Sequence, residues 1–584
     1  MKKTVAYIAL LVAACLPFAT QAQEQLCAVA AHVAMPKATG AAEADTLLLP
    51  FFDDFSQTTS TAANPAWWLA SGIFVNNTYA RNQPTTGVAT FDVLDAAGRV
   101  YPHVGRASTG ADTLCSKPIR LNTADRNVFL SFVYQPRGAG DDLPEASDIL
   151  ELQFLNADSA WVPAWQSSVD TFRNERVLAL KETNFLQTPA TRIVADSLLD
   201  VTTTFTHVML RVVDPQFLHS AFQLRFINNA SRSQSDVAGQ SGNCDIWNLD
   251  LVYLNRNRSA ADTMLTDVAV ALPVQRLLKD YQMMPWQHLR SSPTAQREQL
   301  VNAAGTGVGI SFDVSNLGVN HTAFRTDFEV QCTKGASITS QKGYSGGTNN
   351  IQRDTTRTFT FNLPSSDFLN TPKANADSVE FTVKAIISDY AVDENLAPIL
   401  VCNDTSSYRL QLFDSYAYDD GSAENGFGIY GASAANAKVA VRFFSYRRDT
   451  LSGVHLYFNS TQDSGNFRNV HFKLAVWGEA DGQPAAELYS EANLSPRFDS
   501  LNRPVFYPLT HPLVVEGAFY VGWIQQSAAM LNVGFDRNNR PQNKMFVSED
   551  SYSWRLSKFD GQGILMVRPS FARIKYEQPT AVGK

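Results

Sequence analysis

Ile149-Leu150-Glu151-Leu152-Gln153-Phe154 alternates apolar and polar side chains, and this run decides the fold. Successive side chains of a strand point to opposite faces, so a two-residue period marks a strand with one buried face. The same period returns in Val208-Met209-Leu210-Arg211-Val212, in Phe222-Gln223-Leu224-Arg225-Phe226 and in Phe359-Thr360-Phe361-Asn362-Leu363. It recurs in Val454-His455-Leu456-Tyr457-Phe458 and from His471 to Trp477. Turn formers separate the runs, as in Pro136-Arg137-Gly138 and in Asp481-Gly482, after which Pro484 has no N–H to give a ladder. Short alternating strands bounded in this way predict antiparallel β-sandwiches. One segment differs. Val274, Leu277, Leu278 and Tyr281 are spaced i, i+3, i+4, i+7 behind Pro273, which predicts a two-turn helix ended by Met284-Pro285.

At 584 residues the chain is too long for one core, since domains run to roughly 100–200 residues. The expected order is a large β-sandwich over 45–257, an immunoglobulin-like sandwich over 262–411 and a second large sandwich over 413–574. Residues 23–44 read as a flexible arm and 575–584 as a tail. The 48 Lys and Arg against 56 Asp and Glu argue against a nucleic-acid binder, which needs clustered basic side chains. With 45% hydrophobic residues, 36 Phe, 19 Tyr and 9 Trp, the chain is too apolar for disorder.

Met1-Lys2-Lys3, the apolar run Thr4 to Leu16, the breaker Pro17 and then Thr20-Gln21-Ala22 read as a secretory signal cleaved between Ala22 and Gln23. Val12-Ala13-Ala14-Cys15 also fits a lipobox, which makes a lipoprotein through Cys15 the alternative. Cleavage after Ala22 removes two lysines and no acid, taking the net charge from −8 to −10. Five cysteines remain: Cys27, Cys115, Cys244, Cys332 and Cys402. Export permits disulfides, and Cys332 with Cys402, inside one domain, is the candidate pair. Cys115 and Cys244 also share a domain, and five is odd, so one thiol at least stays free. Buried cysteines acting as small hydrophobes are the other reading.

Gly343-Tyr344-Ser345-Gly346-Gly347 matches G-x-S-x-G, but its polar flanks suit a hairpin turn better than a nucleophile elbow. No catalytic residues are assigned, and the chain is expected to be non-enzymatic. Asp54 opens the first sandwich beside Asp53, and Asp250 lies near its last strand. Carboxylates brought together there offer hard oxygen ligands for Ca²⁺, with capping of turns as the plainer role, and no other cofactor is expected. The loop from Asp141 to Asp148 is a further candidate contributor. Trp67, Trp68, Trp161, Trp165 and Trp247 offer either a glycan platform or core packing. Met283, Met284 and Trp286 form a candidate docking surface, the alternative being a wedge between the chain's own first and second domains.

The run Leu49-Pro50-Phe51-Phe52-Asp53-Asp54-Phe55-Ser56 resembles those of exported Bacteroidota proteins. So do Leu130-Ser131-Phe132-Val133-Tyr134-Gln135-Pro136-Arg137-Gly138 and Tyr416-Ala417-Tyr418-Asp419-Asp420-Gly421-Ser422-Ala423-Glu424. Such chains are similar to MAM-like jelly rolls joined by immunoglobulin-like modules. The resemblance thus implies an all-β protein, two jelly-roll sandwiches flanking an immunoglobulin-like one, with one short helix near the start of the middle domain. Many such proteins carry a C-terminal type IX sorting domain, whereas this chain ends soon after Met566-Val567-Arg568-Pro569-Ser570-Phe571. The domain order most resembles the plug component of the type IX secretion translocon. That family role implies a protein of the periplasm, associated with the outer membrane, closing the periplasmic mouth of a large outer-membrane β-barrel. The resemblance also suggests glycosylation at triplets such as Asp112-Thr113-Leu114, Asp262-Thr263-Met264 and Asp449-Thr450-Leu451. A glycan- or Ca²⁺-dependent binding module or adhesin, displayed at the cell surface, is the alternative.

Overall fold

Strand pairing in the computed structural model follows the alternation. The structure describes residues 23–27, 46–57, 61–69, 71–95, 101–140, 143–168, 187–190, 205–231, 244–274, 276–300, 307–334, 337–370, 377–389, 396, 400–459, 470–499 and 502–571. The signal segment with Cys15 and Ala22, residues 28–44 of the arm, Asp141, Asp142 and the tail lie outside the described residues.

Leu150–Leu155 alternates buried and half-buried side chains, as its sequence requires. It joins Thr109–Cys115, Leu224–Ala230 and Trp161–Ser167 in a four-stranded sheet. The opposing seven-stranded sheet is centred on Val128–Pro136 and Trp247–Asn255, and the opening strand Phe51–Asp53 pairs with the latter. Between the sheets Phe132, Trp165, Phe226 and Tyr134 meet edge to face or tilted, their rings 4.9 to 6.4 Å apart.

The middle sandwich sets Val268–Leu272, Val308–Asn316 and Thr355–Leu363 against a four-stranded sheet of Ser337–Ile351, Thr322–Lys334, Val379–Asp389 and Thr405–Leu412. The last sandwich has a seven-stranded sheet built on Lys438–Leu456 and Val505–Gln525. Its second sheet contains Asn425–Tyr430, Val533–Asp536 and Ile564–Leu565. The protein is therefore an all-β assembly of sandwiches, with helices confined to a few short segments among the described residues.

Three expectations need correction. The start of the arm is not loose: Gln23–Cys27 is the edge strand of the last sandwich, antiparallel to Asn425–Tyr430 from Gln23 opposite Tyr430 to Cys27 opposite Gly426. Glu24 anchors it, buried against Ser557 and the Lys558 N–H and paired with Arg555 at 2.7 Å. The expected helix is also displaced. Val274, Leu277, Leu278 and Tyr281 are buried but lie in bends and irregular backbone, and helix runs from Trp286 to Ser291 and from Pro293 to Gln299. Pro285 is the cap that starts the first helix rather than the residue that stops one, consistent with proline's tolerance at helix N-termini.

The third correction concerns Met283, Met284 and Trp286. Met284 and Trp286 are fully buried, and Met283 pairs through its backbone with Ala417. They wedge between the middle and last domains, so they form no outward docking surface. One apolar cluster runs without a break from Val268 through Met284 and Trp286 to Phe571. Tyr281 stacks on Tyr418 there and accepts a hydrogen bond from the Phe444 N–H at 3.2 Å, and His288 bridges Tyr416 and Asp449 at 2.9 and 3.0 Å. The middle and last domains share a core.

The first domain closes on both. Thr86 N–H donates to the Val270 carbonyl of the middle domain at 2.7 Å, and Phe52 and Tyr253 pack on Leu396 and Leu400. Toward the last domain, Arg81 donates to Asn538 Oδ1 and the Arg537 carbonyl at 3.2 and 3.3 Å. Arg537 reaches back to the Ala139 and Gly140 carbonyls at 3.2 and 3.0 Å. Each domain thus touches the other two.

Candidate functional site

Asp54 and Asp250, far apart in sequence, come together where the first domain meets the middle one. The opening strand Phe51–Asp53 pairs with Val252, Tyr253 and Leu254 of the closing strand. A bulge follows Asp250 in that closing strand, with Leu251 in the left-handed region at φ 52°. The bulge re-aims the local side chains, and Leu251 N–H donates to Asp250 Oδ1 at 2.7 Å. Thr85 Oγ donates to Asp250 Oδ2 at 2.7 Å and lies 3.4 Å from the Asp54 carbonyl. The turn carrying Thr85 ends at Gly87, φ +86°, where a Cβ would meet the Phe55 carbonyl at 2.6 Å.

The middle domain adds two residues that sequence reasoning missed. Asn403, from the 3₁₀ turn Val401–Asp404, puts its Nδ2 2.9 Å from Asp54 Oδ2 and 3.0 Å from Asp267 Oδ2. Asp54, Asp250 and Asn403 are fully buried and Asp267 is 3% exposed. The Asn403 Oδ1 is buried with no hydrogen-bond partner.

Burial dominates the acidity of the cluster. It pushes Asp53 up to about 7, with the Asp54 charge adding to the effect and the Trp68 indole N–H, 2.6 Å from Oδ2, opposing it. Asp250 lies well above the ordinary carboxylate range through burial and then the charge of Asp54. Asp267 is raised as strongly, by burial and the charges of Asp389, Asp404 and Asp54, against the Asn403 hydrogen bond. Asp404 is pushed up to about 7 by burial and by Asp389. Carboxylates dominate the charged surroundings of Asp250 and Asp267. Desolvation of neighbouring carboxylates is costly, so burial favours their protonated forms.

The loop expected to reach Asp54 and Asp250 instead forms a second acidic group: Glu145, Asp148 and Asp245 place one oxygen each within 4.8 Å of the others. Ser231 satisfies both buried members, its Oγ donating to Asp148 at 2.6 Å and its N–H to Asp245 at 3.1 Å. Burial, with Asp148 and Glu145 nearby, raises Asp245 to about 9.

The expected disulfide does not form. Cys332 and Cys402 are both free thiols, as are Cys115 and Cys244. Cys332 stands opposite Phe381, which stands opposite Leu410, whereas Cys402 lies beyond Thr405 at the far end of that strand. Five rungs of ladder, about 16 Å, separate the two levels, well beyond the reach of a bridge. Gly343–Gly347 lies within the edge strand Ser337–Ile351, not in a turn, with Ser345 opposite Asp327. Trp68, Trp165 and Trp247 are core residues, and Trp67 and Trp161 are partly exposed. Of the triplets, Asp112 is buried and bonded to Tyr101 and the Asp92 N–H.

No family model matches the chain, and no curated protein matches it. Among solved structures it is similar to a GH2 β-galacturonidase from Eisenbergiella tayi, at 10% identity and a TM-score of 0.21, over 63% of this chain and 44% of that one. A Bacteroides uniformis β-glucuronidase matches at 9% identity and a TM-score of 0.19, over 70% and 34%. The tandem CBM22 domains of Paenibacillus barcinonensis Xyn10C match at 9% identity and a TM-score of 0.14, over 64% and 98%. The chain spans less than half the length of the two glycosidases. No helix among the described residues is long and apolar enough to cross a membrane.

Proposed function

We propose that the protein is a non-catalytic component of the cell envelope that seats against a large outer-membrane β-barrel of type IX secretion and closes its periplasmic mouth. The role comes from the resemblance of the domain order. The observation that supports it is the three-way closure: a shared core joins the middle and last domains, and Arg81 and Arg537 clamp the first domain to the last. A body that blocks a pore must present a broad surface without yielding. Linked but independent domains, the ordinary expectation for such a chain, would yield. Ser345, in an edge strand with its Oγ accepting from the Gly347 N–H at 3.3 Å, lacks the strand-to-helix turn of a nucleophile elbow.

Affinity purification of the tagged protein from envelopes of its native host tests the reading. A very large barrel protein is the expected companion, and recovery of soluble periplasmic proteins alone would overturn it. Protease shaving of intact cells separates this role from a surface adhesin: the chain is protected in the first case and cleaved in the second.

A further inference from the structure

We propose that the slot filled by Gln23–Cys27 is a binding site for an extended acidic segment of another protein, and that this strand is its tethered occupant. Three observations carry the proposal. The strand reaches the last domain from the far end of the chain, ahead of the whole first domain, to which residues 28–45 join it. It lies at the end of its sheet and pairs with Asn425–Tyr430 alone among the described strands. Finally, it fills a cradle that the last domain holds in shape through its own contacts.

The cradle receives one carboxylate. Glu24, 2% exposed, accepts from Ser557 Oγ, from the Lys558 N–H at 3.2 Å and from Arg555 Nη1 at 2.7 Å. Arg555 and Ser557 keep their places without the strand. Glu549 holds Arg555 through Nη2 at 2.7 Å, and the Ser557 N–H donates to the Met545 carbonyl at 2.9 Å. The Ser557 Oγ also accepts from the Phe559 N–H at 3.1 Å. A preformed site loses little freedom on binding, and hydrogen bonds to a charged carboxylate are the strong kind. Beside the cradle, the Asn425–Tyr430 edge offers ladder hydrogen bonds to any extended backbone. The edge therefore supplies affinity and the cradle selectivity, the division of labour in strand addition. The register sets Glu24 opposite Ile429 and Leu26 opposite Phe427, and residues two apart share a face. The segment recognised thus reads Glu-x-apolar. A tethered ligand competes at roughly millimolar effective concentration, which keeps the slot closed by default. A second copy of the chain offers the same contacts and forfeits the tether, so a successful competitor is a different protein whose segment adds contacts beyond the five paired residues. The site is independent of the barrel-closing role.

The test uses the full chain and a fluorescein-labelled peptide of residues 23–27 carrying Cys27→Ser. By fluorescence anisotropy the Glu24→Ala chain, whose own strand is weakened, should bind this peptide about a hundredfold more tightly than the wild-type chain does. The same peptide carrying Glu24→Gln should bind at least tenfold more weakly, by ~10-fold or more. On the wild-type chain, which needs no variant to fold, excess glutamate peptide should speed hydrogen exchange at 24–27 while 425–430 stays protected. No saturable binding to the Glu24→Ala chain, equal binding of the two peptides, or unchanged exchange at 24–27 overturns the proposal. Wild-type dimers that disappear in Glu24→Ala would give the slot to a second copy and overturn it as well.

Discussion

Glu24→Ala should release the strand Gln23–Cys27 from the last domain. The carboxylate is buried and accepts from Ser557 Oγ, from the Lys558 N–H at 3.2 Å and from Arg555 at 2.7 Å. Arg555 is 46% exposed, so its share is that of a surface pair, at most ~1 kcal/mol. The hydrogen bonds to a buried charged acceptor contribute more, ~1.5–3 kcal/mol each before coupling, and alanine strands the Lys558 N–H. A combined loss of about 3 kcal/mol is expected, roughly a hundredfold in the equilibrium for local opening. The assay is amide hydrogen exchange in Asn425–Tyr430, whose outer edge Gln23–Cys27 covers. Protection there should fall by about that factor while the central strand Val505–Gln525 keeps its own. Unchanged exchange at 425–430 would refute the view that Glu24 holds the strand.

Trp286→Ala, which empties a fully buried site between the middle and last domains, should cost about 3–5 kcal/mol in urea unfolding; below 1 kcal/mol it would not be core. Burial, with Arg258 nearby, lowers His207 to about 4, so between its unfolded value near 6.5 and about 4 the unfolded chain takes up a proton that the folded one refuses. Stability from His207 is therefore present above pH 6.5 and lost as pH falls toward 4, by a few kcal/mol, and His207→Asn should flatten that part of the wild-type pH profile. Reductant should leave the melting temperature unchanged. Under native conditions the buried Cys332 should resist a thiol reagent that labels it on unfolding.

Alternation made the sheets legible, because a strand with one wet face writes its period directly into the sequence. Leu150–Leu155 and Leu224–Ala230 show that period in their burial. The stretch from Val274 to Tyr281 misled because helical spacing also arises when bends place apolar side chains against two domains at once. Asp54 and Asp250 could be anticipated because first and last strands of a jelly roll are neighbours. Asp267 and Asn403 could not: they belong to another domain, and nothing local in Val401–Asp404 signals what it faces. Cys332 and Cys402 looked like partners only because shared domain membership says nothing about rungs along a ladder.

The unbroken apolar cluster from Val268 to Phe571 has a consequence for how the chain can be divided. Leu412 and Phe413 look like a natural place to cut, with a sandwich on either side. A fragment ending there would bare Met284, Trp286 and Tyr281 to water, and its complement would bare Tyr416, Tyr418 and Phe571. Exposed apolar patches of that kind drive aggregation. The middle and last domains therefore fold, unfold and must be expressed as one unit, and Gln23–Cys27 belongs with them although it precedes the first domain in sequence.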